Sequence, residues 1–195
     1  MSGLYLPATL GPLSRCAAGD VGRYAMCGVE LTDPGDGTFR CAVSDGRQLL
    51  VVRGPCPARG RLNGEAGAAV IVPIEAWQEL FRKPSKDYRG NIEPVCVEFD
   101  GARLHLATRG RFSTSAPVDG RFPDWTSIIP KTAPAFSINV NPEFLANLLT
   151  VIAKILSQDT RKVTLAFWKP DHPMAVVAKD EATGMCLDGL LMPLT

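Results

Sequence analysis

No apolar run in this 195-residue chain reaches the about 18 residues that a membrane-crossing helix needs. The opening stretch, Met1 to Leu13, lacks both a basic segment and a clean apolar segment, so no signal peptide is read and a cytoplasmic protein is expected. None of the six cysteines (Cys16, Cys27, Cys41, Cys56, Cys96 and Cys186) stands in a C-x-x-C pair. The two histidines, His105 and His172, lie far apart. A zinc site needs clustered ligands, so no metal and no cofactor are expected. A disulfide framework is not expected in a chain of this size and compartment. Cys41 and Cys96 sit in apolar, strand-like runs, where a reduced thiol acts as a small hydrophobe. Net charge is only +1, which gives no support to nucleic-acid binding by bulk charge. Any DNA contact must come from local placement of lysine and arginine. The stretch Gly54 to Gly67 is rich in Gly, Pro and Arg, but no lysine-serine or lysine-threonine pair follows it. It reads as a connecting loop and not as a phosphate cradle.

What is present is enough apolar sequence for a core: 46% hydrophobic against 21% charged. The chain reads as three segments of similar plan, each a helical opening followed by strands. The first runs from about Leu13 to Arg53. Its helix, Leu13 to Ala18, is poorly marked, and Gly19 and Gly22 interrupt it. Gly28–Leu31 and Phe39–Val43 read as strands around the turn-rich Asp33–Gly37, and Gln48–Val52 follows the turn Asp45-Gly46. The second runs from Val70 to Val118. Pro73 suits a first helical turn, Ile74, Trp77, Leu80 and Phe81 share one face, and Pro84 ends the helix. Val95–Phe99 and Ala102–Ala107 flank Asp100-Gly101, a short-hairpin signal, and Arg111–Val118 reads as another strand. The third runs from Phe136 onward. Asn141 caps a helix with Pro142 at its first position, Glu143 in its first turn, and an apolar stripe of Phe144, Leu145, Leu148, Leu149, Ile152, Ile155 and Leu156. Strands follow at Val163–Trp168, Met174–Lys179 and Met185–Leu191. Helices at intervals, each followed by antiparallel hairpins, predict an α+β fold with helices on one face of the sheets.

The most informative segment is Val118-Asp119-Gly120-Arg121-Phe122-Pro123-Asp124-Trp125-Thr126-Ser127-Ile128-Ile129-Pro130. It is a glycine turn, an aromatic-proline anchor and a short apolar tail, in that order. It resembles the segment between the second and third domains of the bacterial DNA polymerase III β subunit, the sliding clamp. Further segments resemble that family in the same order. Gly22-Arg23-Tyr24-Ala25-Met26-Cys27-Gly28-Val29 is similar to its arginine-tyrosine-x-leucine-asparagine-glycine-valine strand. Val43-Ser44-Asp45-Gly46-Arg47-Gln48-Leu49 is similar to its alanine-threonine-aspartate-glycine-histidine-arginine-leucine turn. Leu190-Leu191-Met192-Pro193-Leu194-Thr195 is similar to its terminal valine-valine-methionine-proline-methionine-arginine-leucine. The resemblance covers about Leu13 to Thr195.

The resemblance implies the DNA-clamp fold. It implies a complete clamp-type domain over 1–131 and a single half unit over 132–195, since the first domain and the opening half of the last have no counterpart. A head-to-tail dimer of such chains does not supply the domains of a full ring, so closure around duplex DNA does not follow. The resemblance also implies a pocket that takes a short linear motif from replication or repair proteins. Its lining, carried over by position, would be Met26, Ser44, Gly46, Arg47, Gln48, Leu49, Pro123, Ser127, Ile128, Leu190, Met192, Pro193 and Leu194. Methionine and leucine make an adaptable apolar slot, and a glycine turn lets a ligand approach backbone. Gln48 stands where the family has arginine, and Thr195 replaces an arginine-leucine ending. In the family, helices line the ring and touch DNA phosphates. The basic residues at the matching helix ends are Arg82, Lys83, Lys86, Arg89, Lys154, Arg161 and Lys162, where they also complement helix dipoles. The implied function is a non-catalytic processivity factor for DNA replication. The alternative is a clamp homologue with a structural or regulatory role that does not encircle DNA. Asp45, Asp119 and Asp124 could be offered as a catalytic metal site, but turn geometry explains them, and no nucleophile–base pair is visible. A lone half unit leaves a sheet edge unpaired. It is expected either to extend a sheet of its own chain or to pair with its copy in a homodimer.

Overall fold

The computed structural model describes residues 3–19, 25–82, 94–108, 111–156, 162–180, 183 and 185–194. The chain divides into two compact units, Met1–Ile129 and Pro130–Thr195.

Unit 1 is built on two four-stranded antiparallel sheets. The first consists of β2 (Gly28–Asp33), β3 (Thr38–Ser44), β4 (Leu49–Pro55) and β5 (Ala68–Pro73), in the order β4-β3-β2-β5. Alternation along these strands sends Val29, Leu31, Phe39, Cys41, Val43, Val70 and Val72 into one core. Glu30, Arg40, Ala42 and Ile71 take the opposite face. The second sheet holds β1 (Leu4–Leu6), β6 (Val95–Phe99), β7 (Leu104–Thr108) and β8 (Arg111–Ser115), in the order β1-β6-β7-β8. Asp100 closes the β6–β7 hairpin by accepting the N–H groups of Ala102 and Arg103 at 2.8 and 2.7 Å. A 3-10 helix (Ala8–Cys16) and α1 (Ile74–Leu80) supply the helical layer. Leu10, Leu13, Trp77 and Leu80 join Val97, Leu104 and Leu106 in the core that the first sheet also fills. The Trp77 indole N–H, fully buried, donates to the Leu10 carbonyl at 3.3 Å, so one helical segment is tied to the other.

Two features differ from the sequence expectation. The helix expected over Leu13–Ala18 is a 3-10 helix that begins at Ala8 and ends at Cys16. Pro12 inside it removes a backbone donor, which favours a tight, short helix over an α-helix. The two segments also do not keep their strands to themselves. The run before each helix pairs with the first strand of the other segment: β1 with β6 (Tyr5 opposite Cys96) and β5 with β2 (Glu30 opposite Ile71). Each half therefore reads strand, helix, three strands, with its leading strand lent to the other half's sheet. The Gly/Pro/Arg-rich loop is a plain connector pinned to the core. Buried Asp33 accepts the Leu62 and Gly35 N–H groups at 3.0 and 2.9 Å and faces Arg61 at 3.4 Å. Those partners satisfy a charge that burial would otherwise penalise.

Unit 2 has one helix, α2 (Pro142–Ile155), and one sheet of β9 (Thr164–Ala166), β10 (Met174–Lys179) and β11 (Cys186–Leu191), in the order β11-β10-β9. Asn141 caps α2, its Oδ1 accepting the N–H groups of Glu143 and Phe144 at 2.8 and 3.3 Å. Ile152 and Leu156 bury against Met174, Val176, Ala178 and Leu191, flanked by Leu145, Leu148, Leu149 and Leu187. Gly189 lets the helix close down on the sheet, since a Cβ there would lie 2.9 Å from Leu148 Cδ1. Among the described residues the strands of unit 2 pair only with one another.

Candidate functional site

The residues singled out from the sequence fall in two places. Met26, the Ser44–Leu49 turn and Pro123, Ser127 and Ile128 belong to unit 1, and Leu190, Met192, Pro193 and Leu194 to unit 2.

The β3–β4 turn is held by its own side chains. Gly46 has φ +83°, a conformation that a side chain resists. Asp45 accepts the N–H groups of Arg47 and Gln48 at 2.8 and 2.9 Å and the Gln48 carboxamide at 3.1 Å. Those backbone bonds hold the Asp45 carboxyl below its usual range. Ser44 Oγ donates to the Gln48 carbonyl at 2.7 Å and accepts the Gly46 N–H at 3.0 Å. The Arg47 and Gln48 side chains stand exposed at the tip, and Leu49 turns inward.

Leu49 turns toward the aromatic-proline segment. That segment lies on the face of the first sheet opposite the main core, where Phe122 and Trp125 bury against Ala42 and Ile71, with Ala25, Leu49, Val51 and Val118 around them. The Val118 N–H donates to the Ile71 carbonyl at 2.9 Å, tying the segment to the sheet. Trp125 is 5% exposed. Its indole N–H donates to Glu30 Oε2 at 3.2 Å, and the guanidinium groups of Arg40 and Arg53 each lie 5.3 Å from its ring centre. Arg40 and Arg53 are paired neighbours on β3 and β4, so strand register places both cations over one indole. Asp124 caps the 3-10 turn Trp125–Ser127, accepting the Thr126 N–H and hydroxyl at 3.1 and 2.5 Å. The hydroxyl bond, first, and the backbone bonds hold its carboxyl below the ordinary range. Beyond this anchored turn Ile128 is 69% exposed, and Pro123 and Ser127 also face solvent. Met26 is half-buried beside Ala25.

In unit 2, β11 alternates. Leu187 and Leu191 pack under α2, while Leu190 points away and is 68% exposed. The chain beyond it is fixed by the Leu194 N–H, which donates to the Asn139 carbonyl at 2.7 Å. Met192 and Leu194 nevertheless expose 65% and 53% of their surface. Three large apolar side chains thus stand in water on a segment whose backbone is tied down.

Three of the seven basic candidates, Arg82, Lys154 and Lys162, fall among the described residues. Arg82 Nη1 lies 3.6 Å from Glu79, which also faces Arg111 at 3.7 Å. Lys154 sits in the last turn of α2, and Lys162 is exposed. Lys83, Lys86, Arg89 and Arg161 lie outside the described residues, as do Thr195 and the Gly22-Arg23-Tyr24 part of the first motif. Among the described residues no group of three or more His, Cys, Asp or Glu side chains could hold a metal ion. Sequence reading missed Glu30, Arg40 and Arg53, which grip Trp125. Their one signal was polar placement at alternate positions of otherwise apolar strands.

No protein-family model matches the chain. A beta sliding clamp of Chlamydia muridarum is 24% identical over 145 residues, covering 74% of this chain and 37% of the relative. That of Synechococcus elongatus is 25% identical over 169 residues, covering 86% and 43%. The solved beta sliding clamp of C. crescentus superposes with a TM-score of 0.74 at 19% identity, covering 98% of this chain and 50% of that one. The fold is the α+β DNA-clamp fold. The chain is similar to the beta sliding clamps and spans half or less of the length of these relatives.

Proposed function

We propose that the chain is a non-catalytic, clamp-type binding module that docks replication or repair proteins carrying a short linear motif, and that it associates with double-stranded DNA as a processivity factor. The peptide would cover the Leu190–Leu194 tail of unit 2. One observation carries this reading. Leu190, Met192 and Leu194 are each more than half exposed although the Leu194–Asn139 backbone bond fixes their segment. Exposed apolar groups on a fixed backbone lose little entropy when a ligand covers them, and Met and Leu adapt to varied partners. Fluorescence anisotropy with a labelled clamp-binding peptide tests it. Binding at micromolar Kd or tighter is expected, and Met192→Asp should abolish it. No binding at millimolar peptide would remove the reading.

The alternative is a structural or regulatory homologue that does not encircle DNA. Mixing with a complete clamp, followed by size-exclusion chromatography, separates the two. Co-elution without peptide binding would support the alternative.

A further inference from the structure

Strands β3 and β4 place two like charges face to face. Arg40 and Arg53 are direct cross-strand partners, so their side chains rise from the same face of the first sheet. Like charges directly opposite on a sheet repel and cost stability. Both guanidinium carbons lie 5.3 Å from the centre of the Trp125 ring, which gathers the two heads over one surface. Stacking on the indole offsets part of the repulsion, but it supplies no acceptor for the guanidinium N–H groups.

The neighbouring carboxylates are engaged elsewhere. Glu30 accepts the Trp125 indole N–H at 3.2 Å, and Asp124 accepts the Thr126 backbone N–H at 3.1 Å together with its hydroxyl. Among the described residues no carboxylate forms an ion pair with Arg40 or Arg53. Arg40 is half-buried, and its Nε–H is shut off from solvent with no acceptor. Among the described residues it is the only buried side-chain nitrogen or oxygen left without a partner. Such a donor is costly and calls for a physical reason. Arg53 stands exposed beside it, so the pair is open to solutes on one side.

We propose that Arg40 and Arg53 form a binding site for a terminal phosphate group, with Trp125 holding the two heads together. A guanidinium presents its N–H donors as a planar fork that matches an oxyanion edge. Two forks side by side meet the three free oxygens of a phosphate monoester, whereas a diester offers only two. The bound anion bridges the two cations, replaces their repulsion by attraction and gives the Arg40 Nε–H an acceptor. The site uses residues of unit 1 alone and does not rest on peptide binding.

Titration of the isotope-labelled full chain with sodium phosphate, at constant ionic strength and followed by two-dimensional NMR, tests it. The reporter is the Trp125 indole N–H resonance, assigned by its loss in Trp125→Phe. A saturable shift is expected, with a Kd of about 5 mM or tighter. Arg53→Gln, at an exposed position, should keep the fold and weaken binding by about fivefold or more, and Arg40→Gln should do the same. Arg103→Gln removes an equal charge from the β6–β7 hairpin and should leave the Kd unchanged. A shift that does not saturate by about 50 mM phosphate overturns the proposal. So does a Kd indifferent to Arg53→Gln, or one weakened equally by Arg103→Gln. Dimethyl phosphate or acetate binding as tightly as phosphate overturns the assignment to a terminal phosphate.

Discussion

Replacing Trp125 with alanine should detach the aromatic-proline segment from the first sheet. Trp125 is nearly fully buried against Ala42 and Ile71, donates to Glu30, and lies beneath two guanidinium groups. Truncating a buried tryptophan to alanine costs about 3–5 kcal/mol. Within that figure each cation–π contact at this partly solvated face contributes about 0.5–1 kcal/mol, and the hydrogen bond to a carboxylate about 1.5 kcal/mol or more. At the size of unit 1, each kcal/mol lowers Tm by about 3–5 °C. Trp125→Ala should therefore lower the transition of unit 1 by about 10–20 °C in calorimetry, with the main core intact. Trp125→Phe keeps most of the apolar area but loses the donor, so it should lie between, at about 1–2 kcal/mol. Hydrogen exchange gives the local view. The Val118 amide, bonded to Ile71, should lose protection in the alanine variant while core amides such as Leu31 keep theirs. A Tm within about 2 °C of wild type would refute the reasoning, because it would mean that burial, cation stacking and the indole bond together contribute under about 1 kcal/mol.

Gly189→Ala should destabilise unit 2 by about 1–3 kcal/mol, measured by denaturant titration, because the new methyl meets Leu148 at 2.9–3.0 Å. Adding Leu148→Ala should recover part of the loss. Acid should weaken the β3–β4 turn with a defined sign. Backbone donors depress the Asp45 carboxyl in the folded state, so the unfolded chain binds its proton more readily. The contribution is present above about pH 4 and is lost as pH falls through the folded value. Asp45→Asn should thus be less stable than wild type at pH 7, and the difference should shrink in acid as the folded Asp45 carboxyl takes up its proton, read in a circular-dichroism titration. Cys186 is exposed and should react with a thiol reagent at once, whereas buried Cys41, its thiol pushed up by desolvation, should react only on unfolding.

Much of the fold was legible because it rests on local rules. The Asn141 cap, Pro142 and the apolar stripe mark α2 from its first residue, and Met174–Lys179 is the strand expected from its apolar run. The Asp45-Gly46 and Asp100-Gly101 turns carry their own geometry in their residue types. β1 was not legible, since Leu4–Leu6 acquires meaning only when paired with Val95–Val97. Nor was the exchange of leading strands, because β5 carries no mark in its residues that distinguishes pairing with β2 from pairing with β6. The grip on Trp125 was hidden for the same reason: Arg40 and Arg53 lie on different strands, and only register makes them neighbours.

By itself the sequence determined where elements begin and turn, which faces are apolar, and that the aromatic-proline segment must dock on something, because capping, alternation and turn chemistry act over a few residues. Tertiary structure alone decided which strand lends itself to which sheet, what the tryptophan docks on, and which apolar residues stay in water. Those outcomes depend on register and packing between residues distant in the chain, and no local preference encodes them.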